Sequence, residues 1–155
     1  MLLPTCRAAG VPLLVNDRLD VALAAGADGV HLGQDDLPLC DALRMRASQR
    51  FIIGVSTHDL AQAQAASRDG ADYIGFGPIF ATQSKADAEE AVGLARLREV
   101  CAAISLPVVA IGGITLATVG AVAATGASAA AIIAAIDQAR DPVAAARRVA
   151  QAFGA

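Results

Sequence analysis

Six short apolar runs, separated by helical stretches, most constrain what this chain can fold into. Each run has four or five residues, is continuous rather than alternating, and is rich in Val and Ile or in Ala. The runs cover residues 12–15, 29–32, 51–55, 73–76, 107–111 and 129–133. A continuous apolar run of this length predicts a strand that is buried on both faces, as in a parallel sheet.

Stretches rich in Ala and Leu, with helical spacing, lie between these runs. They cover residues 19–25, 41–48, 60–68, 94–104, 117–124 and 142–153. Several helical segments end in Gly and re-enter a strand, at Gly10, Gly26, Gly70 and Gly126. We expect each of these Gly residues to cap its helix in the left-handed conformation. The internal repeat of helix, Gly and strand predicts βα units around a parallel sheet.

Two closures fit a βα repeat of this kind. One is a doubly wound open sheet, and the other is a (β/α)₈ barrel of the TIM type that lacks two units. Residues 1–10 resemble the end of a helix with no strand before it, whereas an intact α/β domain normally opens with a strand. We therefore expect an N-terminal truncation, and both closures stay open on the pattern of segments alone.

Composition narrows the class of protein. The chain has 155 residues, which is the length of one domain, and 55% of them are hydrophobic, which excludes disorder. No apolar run reaches the roughly 20 residues of a membrane-spanning helix. The net charge is −3 with no basic stripe, so we expect neither a membrane nor nucleic acid as a partner. Three isolated Cys residues argue against structural zinc, and the lack of a signal-peptide pattern predicts the cytoplasm.

Ligands of parallel α/β folds bind beyond the carboxyl ends of the strands. Asn16 and Asp17 follow the first run, and Asp35 and Asp36 follow the second. Mg²⁺ usually takes one or two carboxylates and leaves the rest to water and phosphate, so Asp17 and Asp36 are candidates for one ion. At both places the alternative is a cap on the following helix. His31 lies inside its run and is interpreted as a hydrogen-bonded core histidine.

Later strand ends carry groups suited to an anion. Ser56 is placed to hydrogen-bond a ligand, while His58 begins a helix and is alternatively a cap or a surface residue. The long loop over residues 77–92 holds Thr82, Ser84 and Lys85, two hydroxyl donors and one cation, unless it is simply a solvated loop.

Main-chain groups complete the set of candidates. Gly112 and Gly113 are expected to open the next helix and let the backbone approach a ligand, because a helix N-terminus attracts an anion. Ile133 and Ala134 are expected to offer main-chain N–H groups in the same way. Barrels frequently bind phosphate at the loops after their last two strands.

Six features together resemble the thiamine-phosphate synthase family, in its order and near its spacing. They are residues 13–17 (Leu-Leu-Val-Asn-Asp), 29–38, 53–58, 73–80, Lys85 and 107–114. The family is a (β/α)₈ barrel of the TIM type, so the resemblance implies a single partial barrel domain over residues 1–155, with about six of the eight units present and the first two missing. The family joins hydroxymethylpyrimidine pyrophosphate to a thiazole phosphate. The products are thiamine phosphate and pyrophosphate. The resemblance implies that pyrophosphate departs first, with help from Mg²⁺, and that the thiazole nitrogen captures the pyrimidine cation.

The resemblance also implies roles for individual residues. Asp17 and Asp36 would bind Mg²⁺, and Asn16 and Lys85 would hold the pyrophosphate, with Ser56 against the pyrimidine. The residues around the thiazole phosphate would be Thr82, Ser84, Gly113, Ile133 and Ala134. Mg²⁺ and Lys85 would neutralise charge on the leaving group where that charge develops.

The sequence departs from the family in three places. A Gln-x-Arg-x-Lys segment with pyrophosphate-binding cations is not present, residues 81–85 read Ala-Thr-Gln-Ser-Lys, and Ala134 stands where the family has Ser. We therefore expect little or no synthase activity from this chain alone, and a homo-oligomer through open barrel edges. The alternatives are a thiazole tautomerase with His58 as acid and base, or a phosphate-binding remnant without catalysis.

Overall fold

A six-stranded parallel sheet, curled into a half-barrel, forms the centre of the computed structural model of this chain. The structure describes residues 2–46, 50–82 and 90–154. The strands are β1 (Leu14–Asn16), β2 (Gly29–Leu32), β3 (Ile52–Thr57), β4 (Tyr73–Phe76), β5 (Val108–Ile111) and β6 (Ala129–Ala131). Each strand pairs with the next one along the chain, in the order β1 to β6.

Helices separate the strands as the repeat predicts. They are α1 (Leu2–Ala9), α2 (Leu19–Ala25), α3 (Leu39–Met45), α4 (Leu60–Asp69), α5 (Gly93–Ala103), α6 (Val119–Ala123), α7 (Ala134–Asp137) and α8 (Pro142–Ala152). The short helix α7 was not predicted from the sequence. Within the described residues, no helix combines the length and apolarity needed to cross a bilayer.

The strand order decides between the two closures. A doubly wound sheet reverses its strand order at a switch point, where the ligand binds. The six described strands run in chain order without a reversal, and all five pairings are parallel. The barrel prediction is therefore confirmed for the architecture, and the doubly wound alternative is wrong.

The two faces of the sheet differ in burial. The face under the helices forms the core and is at most 8% exposed; it carries Val30, Leu32, Ile53, Val55, Ile74, Phe76, Val108 and Ala110. The opposite, concave face carries half-buried or exposed residues such as Asn16, His31 and Val109. The prediction of strands buried on both faces is thus wrong for the described residues, because the concave face lines an open cavity.

Left-handed glycines precede the strands, and Gly26 and Gly70 cap α2 and α4 as predicted. Gly126 is left-handed as well, but the C-cap residue of α6 is Ala124, so the prediction that Gly126 caps its helix is wrong. Gly26, Gly70 and Gly126 have φ values of 64°, 96° and 94°. Only a residue without Cβ adopts this conformation at little cost. The Ala that follows each of these three glycines is buried against the core, which anchors the start of the next strand.

Two aspartates join neighbouring strands at their amino ends. The backbone N–H of Asp28 donates to the Leu13 carbonyl (2.9 Å), and its carboxylate accepts from the Leu13 N–H (2.8 Å). Asp72 makes the same two bonds with Ile53, at 2.9 and 2.7 Å. The Arg46 guanidinium also pairs with the Asp72 carboxylate. Each aspartate thereby fixes one strand against the preceding one.

Replacing the second of these aspartates tests its contribution to stability. Asp72→Ala leaves the N–H of the buried Ile53 and the guanidinium of Arg46 without their acceptor. We expect the free energy of unfolding to fall by about 1–3 kcal/mol, measured by urea denaturation. The matched control is Asp69→Ala, an exposed carboxylate at the end of α4, which should change stability by at most about 0.5 kcal/mol. An equal effect of both substitutions would contradict the assignment.

Candidate functional site

The carboxyl ends of the strands meet around a cavity of about 260 Å³ on the concave face. Its lining comes from five of the six strands, all but β3: Leu14, Asn16, His31, Tyr73, Gly75, Val109, Ile111 and Ala131. The walls are thus largely apolar, with a few polar groups that converge. This combination is typical of a site for a small ligand.

Asn16 and Asp17 stand at the carboxyl end of β1. Asp17 has a φ of 64°, and its N–H donates to the His31 carbonyl (2.8 Å), which extends the pairing with β2 by one residue. The Asn16 amide donates to Asp17 Oδ1 (2.7 Å). A left-handed residue other than Gly is uncommon, and Asp is one of the few types that tolerate it. The N-cap residue of α2 is Arg18, with no side-chain cap bond, so the cap interpretation of Asp17 is wrong.

Asp36 stands at the carboxyl end of the neighbouring strand. Its Oδ2 atom accepts from the N–H of Gly33 (2.7 Å), the residue directly after β2. This bond holds the carboxylate over the strand end. The N-cap residue of α3 is Pro38, without a side-chain cap bond, so the acidic-cap interpretation is wrong for Asp36 as well. Asp17 and Asp36 therefore follow the ends of two adjacent strands.

This pair of carboxylates suits one kind of metal ion. No three His, Cys, Asp or Glu side chains are grouped to hold a metal within the described ranges. Two carboxylates match Mg²⁺, which takes one or two of them and completes its shell with water and phosphate oxygens. The donor chemistry of the edge is consistent with that ion.

An exposed ion pair lies next to the carboxylates. The Arg18 guanidinium lies 2.6 Å from Asp20, and its hydrogen bond lowers the pKa of the Asp20 carboxyl to about 2. Such exposed pairs contribute little to stability. Arg18 directly follows Asp17 in the chain, but its guanidinium is bound to Asp20.

A chain of hydrogen bonds crosses the cavity wall. Ser56 Oγ lies 2.8 Å from His31 Nε2, and His31 Nδ1 lies 2.8 Å from the Tyr73 hydroxyl. Burial raises the pKa of Tyr73 to about 12. His31 is hydrogen-bonded as the sequence suggested, but it lines the cavity rather than the core. Tyr73 was not identified from the sequence, although Gly54 and Gly75 inside neighbouring strands were a signal of close approach.

The long loop after β4 is anchored beside β5. The N–H of Ile79 donates to the Ile111 carbonyl (2.8 Å), and Val92 N–H donates to the Pro78 carbonyl (2.8 Å), which closes the base of the loop. Thr82 is half-buried. The predicted phosphate contacts Ser84 and Lys85 lie outside the described residues. The loop base therefore stands at the same edge of the sheet as the carboxylates.

Gly112 and Gly113 do not open a helix, contrary to the prediction. Helix α6 begins at Val119, after a turn in which Thr118 Oγ1 accepts from the Thr115 N–H (2.9 Å). Gly113 has a φ of 65°, and a Cβ there would lie 2.6 Å from the Ala81 carbonyl oxygen. The glycine thus makes room for the loop base.

Two further candidates differ in their surroundings. Ile133 is 71% exposed and precedes Ala134, the first residue of α7, so both follow the carboxyl end of β6. His58 Nδ1 lies 2.7 Å from the Gly77 carbonyl oxygen. The N-cap residue of α4 is Asp59, which accepts from the Gln62 N–H, so the cap interpretation of His58 is wrong.

Comparisons with known proteins agree on one family. A family model described as thiamine monophosphate synthase matches residues 1–136. Thiamine-phosphate synthases of Roseiflexus castenholzii and Chloroflexus aurantiacus are 53% and 52% identical over 94% and 92% of this chain. The chain spans 64% and 65% of the lengths of those two relatives.

A solved structure supports the same grouping. Thiamine phosphate pyrophosphorylase from Pyrococcus furiosus superposes with a TM-score of 0.88 and 36% sequence identity. The match covers 98% of this chain and 72% of that protein. The Pyrococcus furiosus protein thus shares the curled parallel sheet of this chain.

Substitution of Gly113 tests the packing of the loop base. Gly113→Ala places a Cβ at 2.6–2.7 Å from Ala81 and Phe80 at a positive φ, so we expect a loss of about 1–3 kcal/mol in the free energy of unfolding. The control is Gly120→Ala in α6, where a Cβ meets nothing within 4 Å. That change should stabilise the protein by about 0.5–1 kcal/mol. A neutral Gly113→Ala variant in urea melts would refute the packing argument.

Proposed function

The chain belongs to the thiamine monophosphate synthase family, and we propose that its site is built for the thiamine-phosphate synthase reaction. The reaction joins hydroxymethylpyrimidine pyrophosphate to a thiazole phosphate and releases pyrophosphate. The carbon–oxygen bond to pyrophosphate breaks with its electrons on the leaving group. The thiazole nitrogen then forms the new carbon–nitrogen bond.

One observation carries the proposal. Asn16, Asp17 and Asp36 follow the ends of adjacent strands beside a cavity with mostly apolar walls. Carboxylates at that edge suit a metal-bound pyrophosphate, and the cavity suits a flat heterocycle. The pyrophosphate and the pyrimidine of the proposed substrate would thus bind at neighbouring positions.

Asp17 and Asp36 would hold Mg²⁺, which when bound would neutralise the charge that develops on the departing pyrophosphate. Asn16 holds the Asp17 carboxylate through its amide (2.7 Å) and is proposed to reach a pyrophosphate oxygen as well. Lys85 is proposed as the second pyrophosphate contact from the loop after β4. A cation there would act most strongly where the leaving group gains charge.

We propose that the heterocycles lie deeper in the cavity than the pyrophosphate and closer to the later strands. Ser56 would contact the pyrimidine, with the apolar Leu14 and Val109 of the cavity wall on either side. Apolar walls give water few hydrogen-bond partners beside the pyrimidine cation, which it would otherwise capture. The proposed contacts of the thiazole phosphate are Thr82, Ser84, Gly113, Ile133 and Ala134.

We also propose the ligands, the cellular compartment and the self-association of this protein. Its ligands would be small phosphorylated molecules, and its compartment the cytoplasm. In the described sheet, β1 and β6 are the outermost strands. An exposed strand edge recruits a partner strand, so we propose that copies of the chain associate through these two edges.

The tautomerase alternative has less support. That reaction would need His58 as an acid and base. Its Nδ1 atom lies 2.7 Å from the Gly77 carbonyl oxygen, and its backbone N–H donates to Gln62 Oε1 (2.8 Å). These contacts fix His58 at the junction of β3 and α4.

Isothermal titration with inorganic pyrophosphate tests the proposed metal pair. We expect binding that requires Mg²⁺ and that weakens at least about tenfold, or about 1.4 kcal/mol, in Asp17→Asn. Asn keeps the shape of the side chain and an oxygen that accepts from Asn16, so the loss reports the charge. Asp69→Asn, an exposed site at the end of α4, is the control and should bind like wild type. Binding that is equal without Mg²⁺, or unchanged in Asp17→Asn, would overturn the assignment.

A further inference from the structure

Tyr73, His31 and Ser56 form a hydrogen-bonded series over three neighbouring strands. His31 is on β2, Ser56 on β3 and Tyr73 on β4, and both contacts of the imidazole are 2.8 Å long. The rings of His31 and Tyr73 lie 5.5 Å apart. The series runs from the half-buried phenol of Tyr73 to the hydroxyl of Ser56, which is proposed above to contact the pyrimidine.

Glycines in the strands make this series possible. His31, Gly54 and Tyr73 occupy one row of the sheet register. A Cβ at Gly54 would lie 2.0 Å from Tyr73 Cζ, so the phenol ring lies across that glycine to reach His31. A Cβ at Gly75 would lie 3.1 Å from His31 Cε1. Neither glycine has a positive φ, so their role is to leave space for the two rings.

The Tyr73 hydroxyl can act as the donor that gives this series one direction. Burial raises the pKa of Tyr73 to about 12, so at neutral pH the hydroxyl keeps its proton and can donate it to His31 Nδ1. A neutral imidazole that accepts at Nδ1 carries its proton on Nε2 and donates there. Nε2 then donates to Ser56 Oγ. With this direction, the Ser56 hydroxyl keeps its own proton to donate to a ligand.

The backbone of Ser56 is held as well. The Gln34 side-chain amide donates to the Ser56 carbonyl, and Ser56 lies opposite Gly75 in the sheet. Residues from β2 and the turn after it thus hold both the side chain and the carbonyl of Ser56. Such support fixes the direction of one hydroxyl hydrogen.

We propose that Tyr73 and His31 are positioning residues that make Ser56 a hydrogen-bond donor toward an acceptor on the bound ligand, such as a ring nitrogen of the pyrimidine. The choice of ligand rests on the proposed function above. A site built to donate to a ring nitrogen rejects an analogue that lacks the acceptor, because the donor is then left unpaired. Tyr73 and His31 act through Ser56 and need not touch the ligand.

A double-mutant cycle on the full chain tests this proposal, with hydroxymethylpyrimidine pyrophosphate as the probe and Mg²⁺ present. Tyr73→Phe keeps the ring and removes the first donor. We expect it to weaken binding of the probe about tenfold, as for one lost hydrogen bond, and to leave inorganic pyrophosphate binding unchanged. In a Ser56→Ala background the same change should have no further effect. Thermal melts of each variant confirm that it is folded.

The opposite results are equally definite. If Tyr73→Phe weakens binding of the probe by the same factor in the wild-type and in the Ser56→Ala background, the phenol acts independently of the serine. The proposal then fails. Equal losses for the probe and for inorganic pyrophosphate would also overturn it, because a change confined to Ser56 spares the pyrophosphate end.

A measurement without ligand separates this proposal from the proposed function. Nitrogen-15 chemical shifts of the histidine ring report which nitrogen carries the proton. We expect His31 to be protonated at Nε2, and a spectrum with the proton at Nδ1 overturns the series. If the wild-type chain binds neither probe, the proposed function fails, and the spectrum alone decides the direction of the hydrogen bonds.

Discussion

The pairing of each strand with the next one along the chain is the constraint on which the rest of this structure depends. Asp28 and Asp72 hold two of these pairings at the amino ends, through reciprocal bonds to Leu13 and Ile53. With the register fixed at one end, the opposite ends of all six strands arrive at one edge. The polar residues of the site come from separate parts of the sequence and share no local structure. Only the parallel register brings them together.

The two faces of the sheet divide stability and binding between them. The face under the helices carries branched and aromatic side chains that are almost fully buried. The concave face carries glycines, a few polar groups and partly exposed apolar residues such as Leu14 and Val109, which leaves a cavity but contributes less apolar burial. Gly54 and Gly75 show the difference, since each gives up a side chain so that an aromatic or imidazole ring can cross the strand. In barrels of this type, ligand sites lie at the carboxyl ends of the strands.

Much of this arrangement could be predicted from local patterns. The bounds of β2, β4 and α2 were predicted to the residue, because their ends coincide with a left-handed Gly or a change in hydrophobicity. The strand order followed only once the family was recognised. Three features were beyond the sequence: which face is open, that Asp36 bonds Gly33 instead of capping a helix, and that α6 begins at Val119. Each depends on contacts between segments that the periodicity of a single segment does not contain. The roles of all the candidate site residues remain predictions, and Ser84 and Lys85 also lie outside the described residues.

The central claim is that the ends of β1 and β2 form a metal-dependent pyrophosphate site beside a cavity for a heterocycle. The most direct test is a crystal structure of the chain grown with pyrophosphate and Mn²⁺, which replaces Mg²⁺ at oxygen ligands and gives an anomalous signal. The account predicts an anomalous peak within coordination distance of Asp17 and Asp36, with pyrophosphate bound to the same ion. A peak at other residues, or pyrophosphate bound away from the carboxyl ends of the strands, would contradict it.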